Sequence, residues 1–362
     1  MTIHESNRYS RHTALPGFGA SAQEALNRAS VLVIGAGGLG CPVLQYLAAA
    51  GIGHLGIVDP DVVSLTNLQR QILYKEGDLG QPKSMRAARY VQELNSSIQV
   101  QPIQEKITSS NAMSRLSSWD IVLDCTDNFP TRYLLCDSTV LLQKPLVFGS
   151  VYRYEGQVAI FNYQNGPCYR DLHPIPPTPG IVMDCADGGV LGSLCGIIGS
   201  IMANETIKLI TGMGDTLSGK LLVFDSLSTQ SELFIIPHRG ASQKIKSLID
   251  YDHFCGTNTV HSVKEITAQE LIKWENTGEP FQLVDVREPH EYDQLNMAGL
   301  LIPKATIAKA VHLISRTERV VIHCQSGARS LYVIQWLQEN HGLTNLYNLK
   351  GGIEAWLNEK SN

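Results

Sequence analysis

The chain has eight cysteines, at positions 41, 125, 136, 168, 185, 195, 255 and 324, yet no two stand in C-x-x-C spacing. That excludes a zinc-ribbon signature and gives no sign of a disulfide framework. Charge is also scarce. Charged residues make up 17% of the chain and the net charge is −5, so there is no general attraction to nucleic acid or an anionic membrane. No G-K-[ST] triplet follows a glycine loop, which excludes a P-loop NTPase. Long apolar runs are short in supply as well. Gly188–Asn204 is uncharged, but Asp187 and Glu205 bound it, and it reads as a core or subunit-interface helix rather than a membrane span. The N-terminal stretch carries His4, Glu5, Arg8, Arg11 and His12 in place of an apolar leader, so a reducing cytoplasm is expected. There is no internal repeat and no low-complexity tract.

What is present begins with Val31-Leu-Val-Ile-Gly-Ala-Gly-Gly-Leu-Gly40. Four apolar, mostly β-branched residues predict a buried strand. Gly35, Gly37 and Gly40 then follow in G-x-G-x-x-G spacing, and Cys41–Ala50 runs apolar at helical spacing. Glycines let the backbone turn sharply and let phosphate approach the free N–H groups of a helix start. A second strand, His54–Val58, ends at Asp59, where a ribose-binding acid belongs. Strand, loop, helix and acid together point to a nucleotide rather than to packing alone.

Further strands are expected at 120–124, 145–148 and 156–161, with helices at 21–29, 83–94 and 129–142. This alternation predicts a mostly parallel sheet with helices on both faces. Ligands in such sheets bind beyond the carboxyl ends of the strands, so Gly35, Asp59 and Asp127 are expected to converge. Arg70 and Lys83 are cations suited to a triphosphate, and Asp127 is an acid suited to Mg2+. That set exceeds the needs of a dehydrogenase and favours ATP over NAD.

Gly35-Ala-Gly-Gly-Leu-Gly40, Asp59-Pro-Asp61, Asn67-Leu-Gln-Arg-Gln71, Lys83 and Asp124-Cys-Thr-Asp-Asn128 resemble the ubiquitin-activating-enzyme superfamily. The closest branch is the prokaryotic one that activates sulfur-carrier proteins for molybdopterin and thiamin synthesis. The resemblance covers roughly residues 8–236. It implies a Rossmann-like fold in which Gly35, Gly37, Gly38, Asp59, Asn67, Arg70, Gln71, Lys83, Asp127 and Asn128 bind ATP, with Mg2+ on Asp127. It also makes Arg11 an arginine finger that reaches the partner subunit's ATP in a homodimer.

The middle of the chain departs from that family. Many relatives have a second cysteine three places after the one at Cys168, and a further pair later on. Here Asp171 stands in the first place, and 236–242 holds no cysteine. No zinc is expected, and Cys168 is expected to be a free thiol. Pro174–Asp187 reads as a proline-rich loop that crosses the active site. By resemblance, Cys185 within it occupies the position of a cysteine that takes an acyl thioester or resolves a disulfide.

A second domain is expected after a small polar stretch. The boundaries read as 1–255 for the adenylyltransferase domain, 256–262 for a linker and 263–362 for a small α/β domain. Ile266–Trp274 is predicted as a helix, 281–286 and 319–323 as strands, and 331–340 as a helix. The strand at 319–323 delivers Cys324-Gln-Ser-Gly-Ala-Arg-Ser330. A thiol before a helix start faces a ring of backbone N–H groups, and Arg329 adds positive charge; both favour a thiolate or persulfide anion. Leu283-Val-Asp-Val-Arg287, the Cys324–Ser330 loop and Leu349-Lys-Gly-Gly-Ile-Glu-Ala-Trp356 resemble the rhodaneses. Cysteine phosphatases compete for this reading, but they place five residues between Cys and Arg, and this chain has four. Residue 325 is Gln where thiosulfate-using rhodaneses often carry Arg. The sulfur donor is therefore either a persulfidated protein or thiosulfate.

The expected reaction is ATP-dependent adenylation of a ubiquitin-like carrier ending in Gly-Gly, then sulfur transfer from a Cys324 persulfide to give a thiocarboxylate. One alternative is an adenylating enzyme that forms an amide or thioester, with the rhodanese fold as a docking module. Another is an NAD-dependent oxidoreductase with an appended sulfur domain.

Overall fold

The structure is a computed structural model that describes residues 7–177, 189–255 and 263–360. The chain forms two compact units, the first ending at Cys255.

The first unit runs α1 (Gly19–Arg28), β1 (Ser30–Ile34), α2 (Gly40–Ala50), β2 (His54–Val58), α3 (Lys83–Leu94), β3 (Gln99–Ile103), β4 (Ile121–Asp124), α4 (Phe129–Leu141), β5 (Leu146–Tyr152), β6 (Glu155–Phe161), α5 (Gly192–Thr211), β7 (Lys220–Asp225) and β8 (Gln230–Ile235). Eight strands make one sheet in the order β3-β2-β1-β4-β5-β6-β7-β8. The first five are parallel. The last three add antiparallel strands at one edge.

Strand order reverses at β1, which lies between β2 and β4. The register there is level, with Ile34 opposite both Val58 and Asp124. The chain therefore leaves all three strands at one height, and the next residues are Gly35, Asp59 and Cys125. A crevice at such a switch point is where ligands bind in open α/β sheets.

Both faces of the sheet are covered. Val31 and Val33 point into a core shared with α2 and α5, and Leu32 and Ile34 into a second core with Trp119 and Tyr133. The apolar stretch near 188–204 supplies α5, long and apolar enough to cross a membrane on composition. Its Leu194, Ile198 and Met202 are nevertheless fully buried in the first core. A Cβ on Gly199 would lie 2.4 Å from Pro42 of α2, so the two helices meet at a small residue.

The second unit runs β9 (Lys264–Ile266), α6 (Ala268–Thr277), β10 (Phe281–Asp285), α7 (Pro289–Gln294), β11 (Leu300–Leu301), β12 (Arg319–His323), α8 (Ala328–His341), β13 (Leu346–Leu349) and α9 (Gly352–Lys360). Its five strands are all parallel, in the order β11-β10-β12-β13-β9. The helix predicted from Ile266 starts two residues later. Ile266 ends β9 opposite Leu349, and Thr267 caps α6 through a reciprocal pair of bonds with Glu270.

Candidate functional site

The glycine loop owes its shape to steric exclusion. Gly35 has φ +94°, and a Cβ there would lie 2.7 Å from the Cys125 carbonyl oxygen. A Cβ on Gly40 would lie 2.0 Å from the Gly35 carbonyl oxygen. Ala36, between them, is held from both sides. Its N–H donates to Asp59 Oδ2 at 2.8 Å, and its carbonyl accepts from the Tyr74 hydroxyl at 2.7 Å.

A cavity of about 360 Å3 opens at the switch point. Gly35, Gly37, Gly38, Asp59, Arg70, Gln71, Lys83, Asp127 and Asn128 line it. Asn67 and Arg11 do not. Asn67 turns its amide oxygen to the Ser64 N–H at 3.3 Å and closes a local turn. Arg11 sits exposed in a short helix, Ser10–Thr13. Cys185 lies outside the described residues.

Asp59 is buried, and its second oxygen accepts the Asp61 N–H at 2.9 Å. Burial pushes its carboxyl above the ordinary carboxylate value, against the pull of the Lys83 ammonium. Each carboxylate oxygen keeps a lone pair, so sugar hydroxyls can still be received. Lys83 is buried and pairs with the exposed carboxylate of Asp61 at 3.0 Å. Arg70 reaches back to the Thr66 carbonyl at 3.1 Å. The Gln71 side chain is 4% exposed and its Oε1 has no hydrogen-bond partner. A buried amide facing a cavity with one group unsatisfied is suited to a polar ligand.

Asp127 is exposed at the rim and makes no hydrogen bond or ion pair among the described residues. A free carboxylate beside a phosphate-sized cradle fits Mg2+, which takes few protein oxygens and several from phosphate and water. Asn128 caps α4, its Oδ1 accepting the Thr131 N–H at 3.0 Å.

Arg132 and Lys106 also line the cavity and were not singled out by motif. Arg132 is buried one helical turn beyond the Asn128 cap, and its Nη2 donates to the Thr126 carbonyl at 3.2 Å. The i, i+4 spacing from the cap was a usable signal. Lys106 carried none, since it lies in an irregular stretch after β3.

At the position of the absent second cysteine, Asp171 is fully buried. Its Oδ2 accepts the Cys168 N–H at 2.8 Å, and its Oδ1 accepts from Arg239 N at 2.7 Å and Ala241 N at 3.2 Å. One carboxylate therefore ties two segments far apart in the chain. Cys168 is a buried free thiol.

In the second unit, β12 ends at Cys324, which is 1% exposed at the base of its loop. The Gly327 N–H points at Cys324 Sγ from 3.2 Å, and the Ser330 hydroxyl lies 3.6 Å away. Gly327 has φ +95°, the left-handed turn that aims its N–H inward. The same Ser330 oxygen is 2.7 Å from Asn348 Oδ1 on β13. Arg329 is held by Glu291 through two bonds of 2.7 Å. This pairing lowers the Glu291 carboxyl to about 2. Glu291, Ser330 and Asn348 carried no motif signal; each reaches the loop only through the tertiary fold.

The first unit is thus a nucleotide-binding α/β domain, and the second a thiol-loop domain of the sulfur-transfer kind. The chain belongs to the ThiF family, whose model matches residues 9–244, and a rhodanese-like domain model matches residues 267–359. It is 42% identical to the probable adenylyltransferase/sulfurtransferase MoeZ of Mycobacterium tuberculosis, over 98% of this chain and 94% of that protein. It is 41% identical to the adenylyltransferase and sulfurtransferase MOCS3 of Aedes aegypti, over 98% of this chain and 87% of that protein. The crystal structure of Escherichia coli MccB with ATP shares the fold, with a TM-score of 0.58 at 22% identity, over 70% of this chain and 75% of that one.

Proposed function

We propose that this adenylyltransferase and sulfurtransferase activates the C-terminal glycine of a ubiquitin-like sulfur carrier and converts it to a thiocarboxylate. The observation that carries the reading is the meeting of Gly35, Asp59, Arg70, Lys83 and Asp127 at one cavity, in a chain that also holds Cys324 in a sulfur loop.

The carrier's terminal carboxylate attacks the α-phosphorus of ATP, and pyrophosphate leaves. Lys83 and Arg70 stabilise charge on the phosphate oxygens, and Arg11 does so from the partner protomer of a homodimer. Asp127 would hold Mg2+, which would supply positive charge to offset that of the triphosphate. Adenylation is required because a carboxylate is a poor acyl donor and an acyl-AMP is a good one. The terminal sulfur of a Cys324 persulfide then attacks the acyl carbon, and AMP leaves. A second thiol, supplied by Cys185, attacks the Cys324 sulfur of the acyl disulfide. The thiocarboxylate departs, and the resulting protein disulfide is reduced by an external thiol. The seven described cysteines are free thiols, which suits the reducing cytoplasm as the site of action. In this reading residues 1–255 carry the adenylation and residues 263–362 the sulfur transfer.

The test is intact-protein mass spectrometry of each Gly-Gly-ending carrier after incubation with enzyme, ATP, Mg2+ and a persulfide donor. Replacement of one oxygen by sulfur is expected with wild-type enzyme, and adenylation without sulfur with Cys324→Ala. Undiminished thiocarboxylate from Cys324→Ala would overturn the assignment of Cys324.

A further inference from the structure

The cations around the Cys324 loop are already matched by fixed carboxylates. Arg329 sits within the loop and would be the natural receptor for an anionic donor. Both its Nη1 and Nη2 instead engage Glu291, Oε2 and Oε1 respectively, at 2.7 Å. Glu291 is itself fixed, since its Oε2 also accepts the Glu288 N–H at 2.9 Å at the start of α7. Arg287 is 2% exposed and spends its guanidinium on Asp285, at 2.7 Å through Nη2, and on the Leu295 carbonyl. Gln325 directs its amide nitrogen to Glu354 Oε1 at 2.9 Å and its amide oxygen to Arg287 Nη1 at 3.4 Å. Each guanidinium is therefore held by a carboxylate, Arg329 by Glu291 and Arg287 by Asp285, and neither offers unmatched positive charge to a donor. What points at the sulfur is the neutral Gly327 N–H, with the neutral Ser330 oxygen 3.6 Å away.

We propose that Glu291 is a specificity-determining residue for the sulfur donor. By neutralising Arg329 it discriminates against dianionic donors such as thiosulfate and leaves the loop to donors of lower charge, namely persulfides. The inference rests on the reading of Cys324 as the sulfur-accepting thiol. In either transfer the Cys324 thiolate attacks the outer sulfur of the donor. An S–S bond forms on Cys324 as the donor's own S–S bond breaks. The leaving group is a thiolate from a persulfide, or sulfite from thiosulfate, so electrons balance without an added oxidant. The two donors differ in the charge that must approach the loop, which a matched Arg329 cannot offset. Glu291 acts through Arg329 and is a positioning residue, not a catalytic one.

The full-length protein and its Glu291→Gln variant would be loaded with cysteine persulfide or with thiosulfate at several ionic strengths. Sulfur on Cys324 would be followed by intact mass. Glutamine keeps the side-chain length and an oxygen for the Glu288 N–H while removing the charge. The ratio of kcat/KM for thiosulfate to that for cysteine persulfide is expected to rise about tenfold, as expected for one unmatched charge at a mostly buried site. The rise should lie in KM for thiosulfate and shrink with added salt. An unchanged ratio overturns the proposal, and so does a salt-independent rise. If Glu291→Gln fails to fold, as judged by its melting curve, Glu291→Asp carries the same test with a smaller expected rise, because the shorter side chain draws the carboxylate back from Arg329. Failure of both donors to load wild-type Cys324 refutes the reading of Cys324 as the sulfur-accepting thiol instead, so the two failures are told apart.

Discussion

The Asp59 carboxylate accepts the Ala36 N–H at 2.8 Å and thereby joins the end of β2 to the glycine loop that follows β1. The acid placed to receive a ribose thus also sets the height of the loop beneath the phosphates. Asp59→Ala removes both. Nucleotide affinity is expected to fall roughly ten- to hundredfold, the worth of one or two charge-assisted hydrogen bonds. Titration calorimetry with a non-hydrolysable ATP analogue would measure it. Unchanged affinity would remove Asp59 from the site.

Asp171 makes the same kind of tie without a ligand. Burial acts to raise its carboxyl, but N–H donors from Cys168, Ala241 and Arg239 outweigh that and hold it below the ordinary value. A lowered carboxylate contributes stability that is present above its unfolded value and is lost as pH falls through its folded value. Asp171→Ala is therefore expected to cost about 3 kcal/mol near neutral pH, with the difference from wild type narrowing in acid below about pH 4. Denaturant melts across pH would show it. Chelators are expected to leave the wild-type melt unchanged, and elemental analysis to find less than stoichiometric zinc.

Much of this was legible in the sequence, because local rules fix the elements that matter. Val31–Ile34, the glycine spacing and Asp59 each follow from backbone sterics and strand patterning, and the switch point places their ends together. Asn67 was legible as a motif but not in its geometry, since its amide oxygen serves a local turn. Lys106 and Glu291 were illegible for a different reason, and Arg132 showed only through its spacing from the Asn128 cap. Lys106 and Glu291 reach their sites through an irregular segment and a tertiary contact, and only folding brings them there. β9 was hidden because its three residues abut a capped helix, and Ile266 satisfies the pattern of either element.

Lys83 pairs with Asp61, whose side chain is 65% exposed. Lys83→Ala leaves that carboxylate in water, where an unpaired charge costs little, but it also takes the nearby cation from buried Asp59, so a modest fall in melting temperature is expected. The ATP–pyrophosphate exchange rate with carrier is expected to fall roughly 10²–10³-fold, the usual loss for one group that stabilises transition-state charge. A large drop in stability without a drop in exchange would reassign Lys83 to structure.

Arg132 presents a contrasting case. Its guanidinium lies 5.4 Å from the ring centres of Phe129 and Phe148 and offsets the charge of buried Asp124. Asp124 uses Oδ1 on Thr126, at 3.0 Å to the N–H and 2.6 Å to the hydroxyl, while its Oδ2 has no hydrogen-bond partner. Burial raises the Asp124 carboxyl, and Arg132 pulls it down. Arg132→Ala leaves a buried carboxylate without its cation and is expected to cost about 3 kcal/mol. Because the folded value is raised, the native state binds the proton more readily than the unfolded chain, so the variant should recover stability as pH falls. Asp124→Asn in the same background should restore much of the loss at neutral pH and abolish the recovery in acid. A double-mutant cycle by denaturant melt checks both statements. Strictly additive losses would mean that Arg132 and Asp124 act separately, and the guanidinium would then belong to the cavity alone.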